Sequence, residues 1–183
     1  MSDDLRCHSQ YVVGLGANLG DRRAALQSAV LALAALGRVR QLSDLYETAA
    51  VGPAQPDYLN AAVLLESGLP PGALMAALLE IERDHGRERR ERWGPRTLDL
   101  DLLCSPGLVR EEPGLTLPHP EVGRRAFALV PLLDVLPDAR DARSGVGYRE
   151  LLAGLESGSV RRVETRSSWD PRGALEQAPG RTE

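Results

Sequence analysis

The chain has 183 residues, 43% of them hydrophobic and 26% charged, with a net charge of −4 at pH 7. That is the balance of one globular domain with a real core, and the acidic surplus disfavours a globally basic nucleic-acid binder. All 22 basic residues are Arg, so mechanisms that need a lysine, such as a Walker-type phosphate loop, a Schiff base or a kinase strand lysine, are excluded.

The start, Met1-Ser2-Asp3-Asp4, is acidic and polar, unlike a secretory signal, and residues 1–10 read as a leader. Tyr11 to Gly16 reads as a first strand ended by glycines, followed by a turn in which Asp21 caps a helix. Leu26, Ala29, Val30 and Leu33 form the apolar stripe of that helix over residues 22–36, and Gly37 stops it. Val39 to Thr48 is a second strand. Ala49 to Pro56, with two Pro and one Gly, is a loop, and Tyr58 to Glu66 is a third strand.

Pro70-Pro71 opens a second helix with Leu74, Leu78 and Ile81 on its buried face, ending at Gly86. A basic loop covers residues 83–96. Residues 97–103 alternate strictly, as a half-buried strand does. A Pro/Gly-rich stretch runs from Ser105 to Pro120, a short helix and apolar run fill 121–136, and a last helix covers 148–155. From about residue 157 the sequence turns polar and loses its period, so a flexible tail is expected over 157–183 and a single domain over 11–156. The order β-α-β-β-α-β predicts an α+β ferredoxin-like sandwich, an antiparallel sheet with helices packed on it. No apolar run approaches membrane-spanning length. Cys7 and Cys104 make neither a disulfide framework nor a zinc-ligand spacing, so the cytosol is the expected compartment.

The strand Asp99-Leu100-Asp101 carries the strongest chemical signal. Side chains alternate along a strand, so both aspartates share one face while Leu98, Leu100 and Leu102 take the other. Two carboxylates about 6–7 Å apart at Cα repel unless a cation neutralises them, which a hard divalent ion does with oxygen ligands. A solvated strand face is the plain alternative for such a pair in isolation. Just upstream lie Arg83, Arg87, Arg89, Arg90, Arg92 and Arg96, guanidinium groups of the kind that grip phosphate. Carboxylates beside arginines are what a polyphosphate and its metal require. His119, held between Pro118 and Pro120, either contacts a phosphate or is structural, and His85 reads as a helix-end cap. Tyr58 and Asn60 share a strand face. Asn can read a heterocycle edge, and Tyr58 with Phe127 can sandwich a flat ring, although core packing accounts for each equally well.

Four blocks in order resemble one family, the 6-hydroxymethyl-7,8-dihydropterin pyrophosphokinases. They are Gly14 to Asp21; Tyr46-Glu47-Thr48 through Gln55-Pro56-Asp57-Tyr58-Leu59-Asn60; Gly86-Arg87 to Arg92-Trp93-Gly94-Pro95-Arg96-Thr97-Leu98-Asp99-Leu100-Asp101; and Pro118-His119-Pro120 to Arg125 and Phe127. The resemblance spans roughly 11–155 and implies transfer of the β,γ-diphosphate of ATP to the pterin hydroxymethyl group, with AMP released. It implies two Mg2+ ions on Asp99 and Asp101, and nucleotide phosphates on Arg87, Arg89, Arg96 and Arg125, with Arg90 a weaker match. It also implies ATP contacts from Thr116 and His119. The pterin is expected between Tyr58 and Phe127, read by Asn60 and by backbone near Thr48, Ala49 and Val51, under a closing loop carrying Trp93. Glu82 matches a supporting carboxylate.

The partners expected are thus small molecules, ATP and a dihydropterin, with no nucleic acid and no membrane, for a monomer or else a dimer. Two readings from other classes remain at this stage: a metal-dependent phosphohydrolase or nuclease using the same aspartates, and a non-catalytic RNA-binding module of the same element order. The second wants a basic surface and sheet-face aromatics, and the chain has one Phe, two Trp and four Tyr.

Overall fold

A computed structural model describes residues 9–50, 55–86 and 96–173. The elements are β1 (Ser9–Ala17), α1 (Arg22–Leu36), β2 (Arg38–Leu42), β3 (Leu45–Thr48), β4 (Tyr58–Ser67), α2 (Pro71–Asp84), β5 (Asp99–Cys104), β6 (Arg110–Glu112), β7 (Leu115–Leu117), α3 (Ala126–Val135), α4 (Tyr148–Ala153), β8 (Arg161–Glu164) and α5 (Arg166–Trp169). A 3₁₀ turn at Val122–Arg124 precedes α3.

The chemistry of the ends sets the helices. The Asp21 carboxylate accepts a hydrogen bond from the Ala24 amide at 2.9 Å and so caps α1. Pro70 and Pro71 start α2, where a missing amide hydrogen costs nothing. At Gly37 a Cβ would stand 2.3 Å from the Glu66 carbonyl oxygen, so the turn into β2 needs a residue without a side chain.

The main sheet runs β5-β1-β4-β3-β8, with β2 also on β4, and each recorded pairing is antiparallel. Strict alternation gives it two faces. Tyr11, Val13, Leu15 and Ala17 of β1, Leu59, Ala61, Val63 and Leu65 of β4, and Leu100 and Leu102 of β5 bury themselves against α1 and α2. On the opposite face Val12, Ala62, Leu64 and Leu103 meet α3 and Tyr148 of α4. That second core covers only part of its face, and the remainder is open. The fold is the expected ferredoxin-like sandwich. Among the described residues no helix is long and apolar enough to cross a membrane. Burial pushes the Cys104 thiol up to about 12, so it stays protonated and carries no nucleophilic chemistry.

Three expectations are corrected. The strand expected over 39–48 is two, because Ser43 turns inward: its hydroxyl accepts from the Ala62 amide at 2.8 Å, and the ladder resumes at Tyr46↔Asn60. Residues 9 and 10, expected in the leader, begin β1 and pair with Ser67 and Glu66. Part of the expected flexible tail is ordered structure: β8 adds to the free edge of β3, and Trp169 of α5 lies wholly inside the main core. Residues 1–8 and 174–183, with the rest of the expected leader and tail, lie outside the described residues.

Glu82 on α2 is wholly buried, and its Oε1 accepts from the Leu100 amide at 2.8 Å. Leu100 sits between the two aspartates, so this bond fixes the outer edge of β5 where they project. Glu82→Ala leaves that amide without this acceptor and should cost about 1–3 kcal/mol, with Glu82→Gln recovering much of the loss. Urea unfolding of the two variants checks it, and an alanine variant as stable as the native chain would remove Glu82 from this role.

Candidate active site

The uncovered part of the sheet face forms a cavity of about 770 Å³. Its floor is built strand by strand. Asp99 and Asp101 come from β5, Gly14 and Gly16 from β1, Tyr58 and Asn60 from β4, and Thr48 with the following Ala49 from β3. Gly16 lies between Asp99 on one side and Asn60 on the other in the ladder. A Cβ there would reach 3.5 Å from Asn60 Oδ1, 3.7 Å from Tyr58 Cδ1 and 4.0 Å from Asp99 Cβ. Glycine therefore leaves open the space that joins the carboxylates to the Tyr58–Asn60 end. The facing wall comes from His119, the turn before α3 and the first residues of α3, including Arg124, Arg125 and Phe127.

Charge is segregated along this floor. At the β5 end Arg96 pairs with the Asp99 carboxylate. Burial, and then the neighbouring Asp99 charge, raise the pKa of Asp101, while His119, Arg125 and Arg96 pull it down. A carboxylate pair of this kind is a poor arrangement without a cation and a good one with it. His119 is pinned to β5 through its amide, which donates to the Leu103 carbonyl at 2.7 Å. Its Nδ1 accepts from the Glu121 amide at 3.2 Å, which leaves the proton of a neutral ring on Nε2. The Arg125 guanidinium stands 5.8 Å from the centroid of the Phe127 ring.

At the other end the floor, Thr48, Ala49, Tyr58 and Asn60, carries no charged side chain. Asn60 is buried, and its amide nitrogen donates to Thr48 Oγ1 at 2.8 Å. That bond fixes the amide's orientation, with Oδ1 the acceptor on the Gly16 side. Burial raises the pKa of Tyr58, so its phenol stays neutral beside Arg96 and Asp99.

The structure therefore brings Thr48, Ala49, Tyr58, Asn60, Arg96, Asp99, Asp101, His119, Arg125 and Phe127 to one cavity. Thr116 is on β7, opposite Glu111, and is not among the residues lining it. Val51, Arg87, Arg89, Arg90 and Trp93 lie outside the described residues. His85 is a helix-end residue, with Nδ1 2.7 Å from the Ile81 carbonyl oxygen and Nε2 2.9 Å from Ser28 Oγ.

Sequence reasoning gave Asn18 no role, yet this buried side chain ties both loops that flank the cavity. Its Oδ1 accepts from the Arg96 amide at 2.7 Å, and its Nδ2 donates to Gln55 Oε1 at 3.0 Å and to the Pro56 carbonyl at 3.1 Å. An Asn in a glycine-flanked turn was its only signal. Ser159 and Val160, which also line the cavity, come from the stretch expected to be flexible tail, and Glu156, beside them, is the last residue of the expected domain.

The model of the 7,8-dihydro-6-hydroxymethylpterin-pyrophosphokinase (HPPK) family matches residues 12–137. The chain is 45% identical over 157 residues to a 2-amino-4-hydroxy-6-hydroxymethyldihydropteridine pyrophosphokinase of Synechocystis, covering 85% of this chain and 80% of that protein. It is 42% identical over 155 residues to the protein of the same name from Methylorubrum extorquens, covering 83% of this chain and 97% of that one. Among solved structures, a crystal structure of HPPK-DHPS in complex with substrates superposes with a TM-score of 0.64 at 11% identity, covering 85% of this chain and 46% of that one. Plasmodium falciparum wild-type HPPK-DHPS gives 0.62 at 14% identity, covering 89% and 46%. The chain thus spans about half the length of these two-part proteins, and the likeness to them is one of fold.

Proposed function

This chain belongs to the 7,8-dihydro-6-hydroxymethylpterin-pyrophosphokinase family, and from that premise we infer that it moves the β,γ-diphosphate of ATP onto the hydroxymethyl oxygen of 6-hydroxymethyl-7,8-dihydropterin, a step of folate biosynthesis. The hydroxymethyl oxygen attacks the β-phosphorus in line. The bond from that phosphorus to the α,β-bridging oxygen breaks, AMP leaves, and the hydroxyl proton is lost. The observation that carries the reading is one cavity whose floor has acidic and basic groups at one end and the uncharged Thr48, Tyr58 and Asn60 side chains at the other, open to each other across Gly16.

Asp99 and Asp101 would hold the divalent metal, with two Mg2+ ions as the family resemblance implies. Among the described residues no group of three or more His, Cys, Asp or Glu side chains forms a metal cage. Two carboxylates with positions left for water and phosphate oxygens is a donor set that suits Mg2+. When bound, the metal offsets charge on the phosphate oxygens.

The chain's own groups do the rest. Arg96 and Arg125 are cations placed to stabilise negative charge on the transferring and leaving phosphates. His119 offers Nε2–H to a phosphate oxygen. Tyr58 and Phe127 flank a flat ring, and the Asn60 amide oxygen accepts from a ring donor. Arg87, Arg89 and Trp93 are assigned to the nucleotide and to loop closure, and Thr116 to ATP, on the family resemblance. A closed loop would exclude water and so suppress simple ATP hydrolysis. A phosphohydrolase working from the same aspartates would leave Tyr58, Asn60 and Phe127 without a task. We take the enzyme to act in the cytosol, as a monomer or else a dimer.

The test is product identity. ATP, Mg2+ and the pterin together should give AMP, and AMP should be absent without pterin. ADP would mean attack at the γ-phosphorus and a different site. Asn60→Ala removes the ring-facing acceptor and leaves Thr48 without its partner. It should weaken pterin binding about tenfold, or about 1.4 kcal/mol, while ATP binding stays near native. Separate titrations of pterin and of a non-hydrolysable ATP analogue check this, and unchanged pterin affinity would remove Asn60 from the site.

A further inference from the structure

The family model ends at residue 137, yet the cavity's lining includes Glu156, Ser159 and Val160, nearly twenty residues and more beyond it. Their position follows from the sheet. β8 pairs antiparallel with β3, and Arg161 faces Glu47. Past that last pair the chain runs on toward Thr48 and Ala49, and Val160 and Ser159 line the same cavity as those two residues. The strand order β5-β1-β4-β3-β8 puts this segment at the opposite edge of the floor from the aspartates. Four strand spacings of about 4.8 Å make that separation about 19 Å.

The segment is also held firmly from the far side. Arg162 pairs with Asp44 at 3.2 Å, and Arg161 pairs with Glu47. Arg23 reaches both the Glu164 carboxylate, at 3.1 Å, and the Ser168 carbonyl, at 2.7 Å. Trp169 then plugs the main core. On the near side, α4 packs through buried Tyr148 into the second core. A short bridge stretched between two buried anchors has little freedom to leave the cavity.

We propose that residues 156–160 form the outer wall of the pterin half of the site, and that Val160 and Ser159 limit which ring substituents the enzyme accepts. The proposal rests on the functional reading above. Val160 offers an apolar edge to a flat ring beside Thr48. Ser159 and Glu156 complete the wall where a ring substituent pointing away from the phosphates would arrive. Asp99 and Asp101, which on the functional reading would hold the nucleotide's metal, lie about 19 Å away across the sheet, outside the reach of this wall.

The test separates the two substrates. Steady-state rates of AMP formation are measured for the native chain, Val160→Phe and Ser159→Trp, varying 6-hydroxymethyl-7,8-dihydropterin and ATP in turn. Val160 is half-buried and Ser159 exposed, so larger side chains there displace little packing. A thermal melt of each variant accompanies the rates. The expected result is a pterin KM raised about tenfold in both, with the ATP KM near native and kcat at saturating pterin largely kept. Val160→Ala is expected to improve the relative rate with a pterin enlarged at the ring edge away from the hydroxymethyl group. An unchanged pterin KM in both enlarged variants, or pterin and ATP KM rising in parallel, overturns the wall while leaving the enzyme assignment intact. A native chain that gives no pterin-dependent AMP overturns the functional reading and the wall with it.

Discussion

Asp99→Ala is expected to lower kcat for AMP formation by about a thousandfold at saturating ATP, Mg2+ and pterin. The reason is specific to this geometry. Asp99 and Asp101 point from adjacent same-face positions of β5 into the cavity, and Arg96 is paired with Asp99. Removing Asp99 takes away half the carboxylate charge that would hold the metal. It also releases Arg96 from the partner that aims it. Both losses fall on the same phosphates, so they compound in the rate. The fold should tolerate the change, since the two carboxylates repel each other and Asp99 is one of the causes that raise the Asp101 pKa. A thermal midpoint near native beside a collapsed kcat is the expected pair of results. Near-native kcat with Mg2+ present would sink the metal assignment for β5.

Much of this site was legible because it lies on strands. Alternation alone fixes that Asp99 and Asp101 share a face and that Leu98, Leu100 and Leu102, all buried, share the other. The same period puts Tyr58 and Asn60 together. What alternation cannot give is contact between strands distant in sequence. That Gly16 separates Asp99 from Asn60, or that Asn18 ties residue 96 to residues 55 and 56, depends on the ladder register and on loops closing over it. The inward turn at Ser43 was invisible for a related reason. A hydroxyl replacing a backbone partner leaves no mark on hydrophobic period. The segment after residue 157 failed most clearly. Three of the four residues of β8 are exposed, so the strand has no apolar face to betray it. It exists through its ladder to β3 and the ion pairs from Arg161, Arg162 and Arg23.

Trp169→Ala should therefore be the most destabilising single change in this segment. The indole is wholly buried, and its Nε1–H donates to the Ser43 carbonyl at 3.0 Å. Emptying such a site costs about 3–5 kcal/mol, and leaving the Ser43 carbonyl short of a donor adds about 1 kcal/mol. Ser43 is the residue that breaks the strand between β2 and β3, so the loss falls on the edge that β8 pairs with. Against a total stability of about 5–15 kcal/mol, the change can take a third or more. Urea unfolding measures it, with Trp169→Phe as the partner experiment. Phenylalanine keeps much of the packing and deletes the N–H, so it should cost far less than alanine. If Trp169→Ala costs under about 1 kcal/mol, the indole is not a member of the core, and residues beyond 157 would then be the loose tail their composition suggests. If the loss is as large as expected, β8 and the wall at residues 156–160 are fixed by a side chain that a polar, aperiodic stretch of sequence gave no reason to bury.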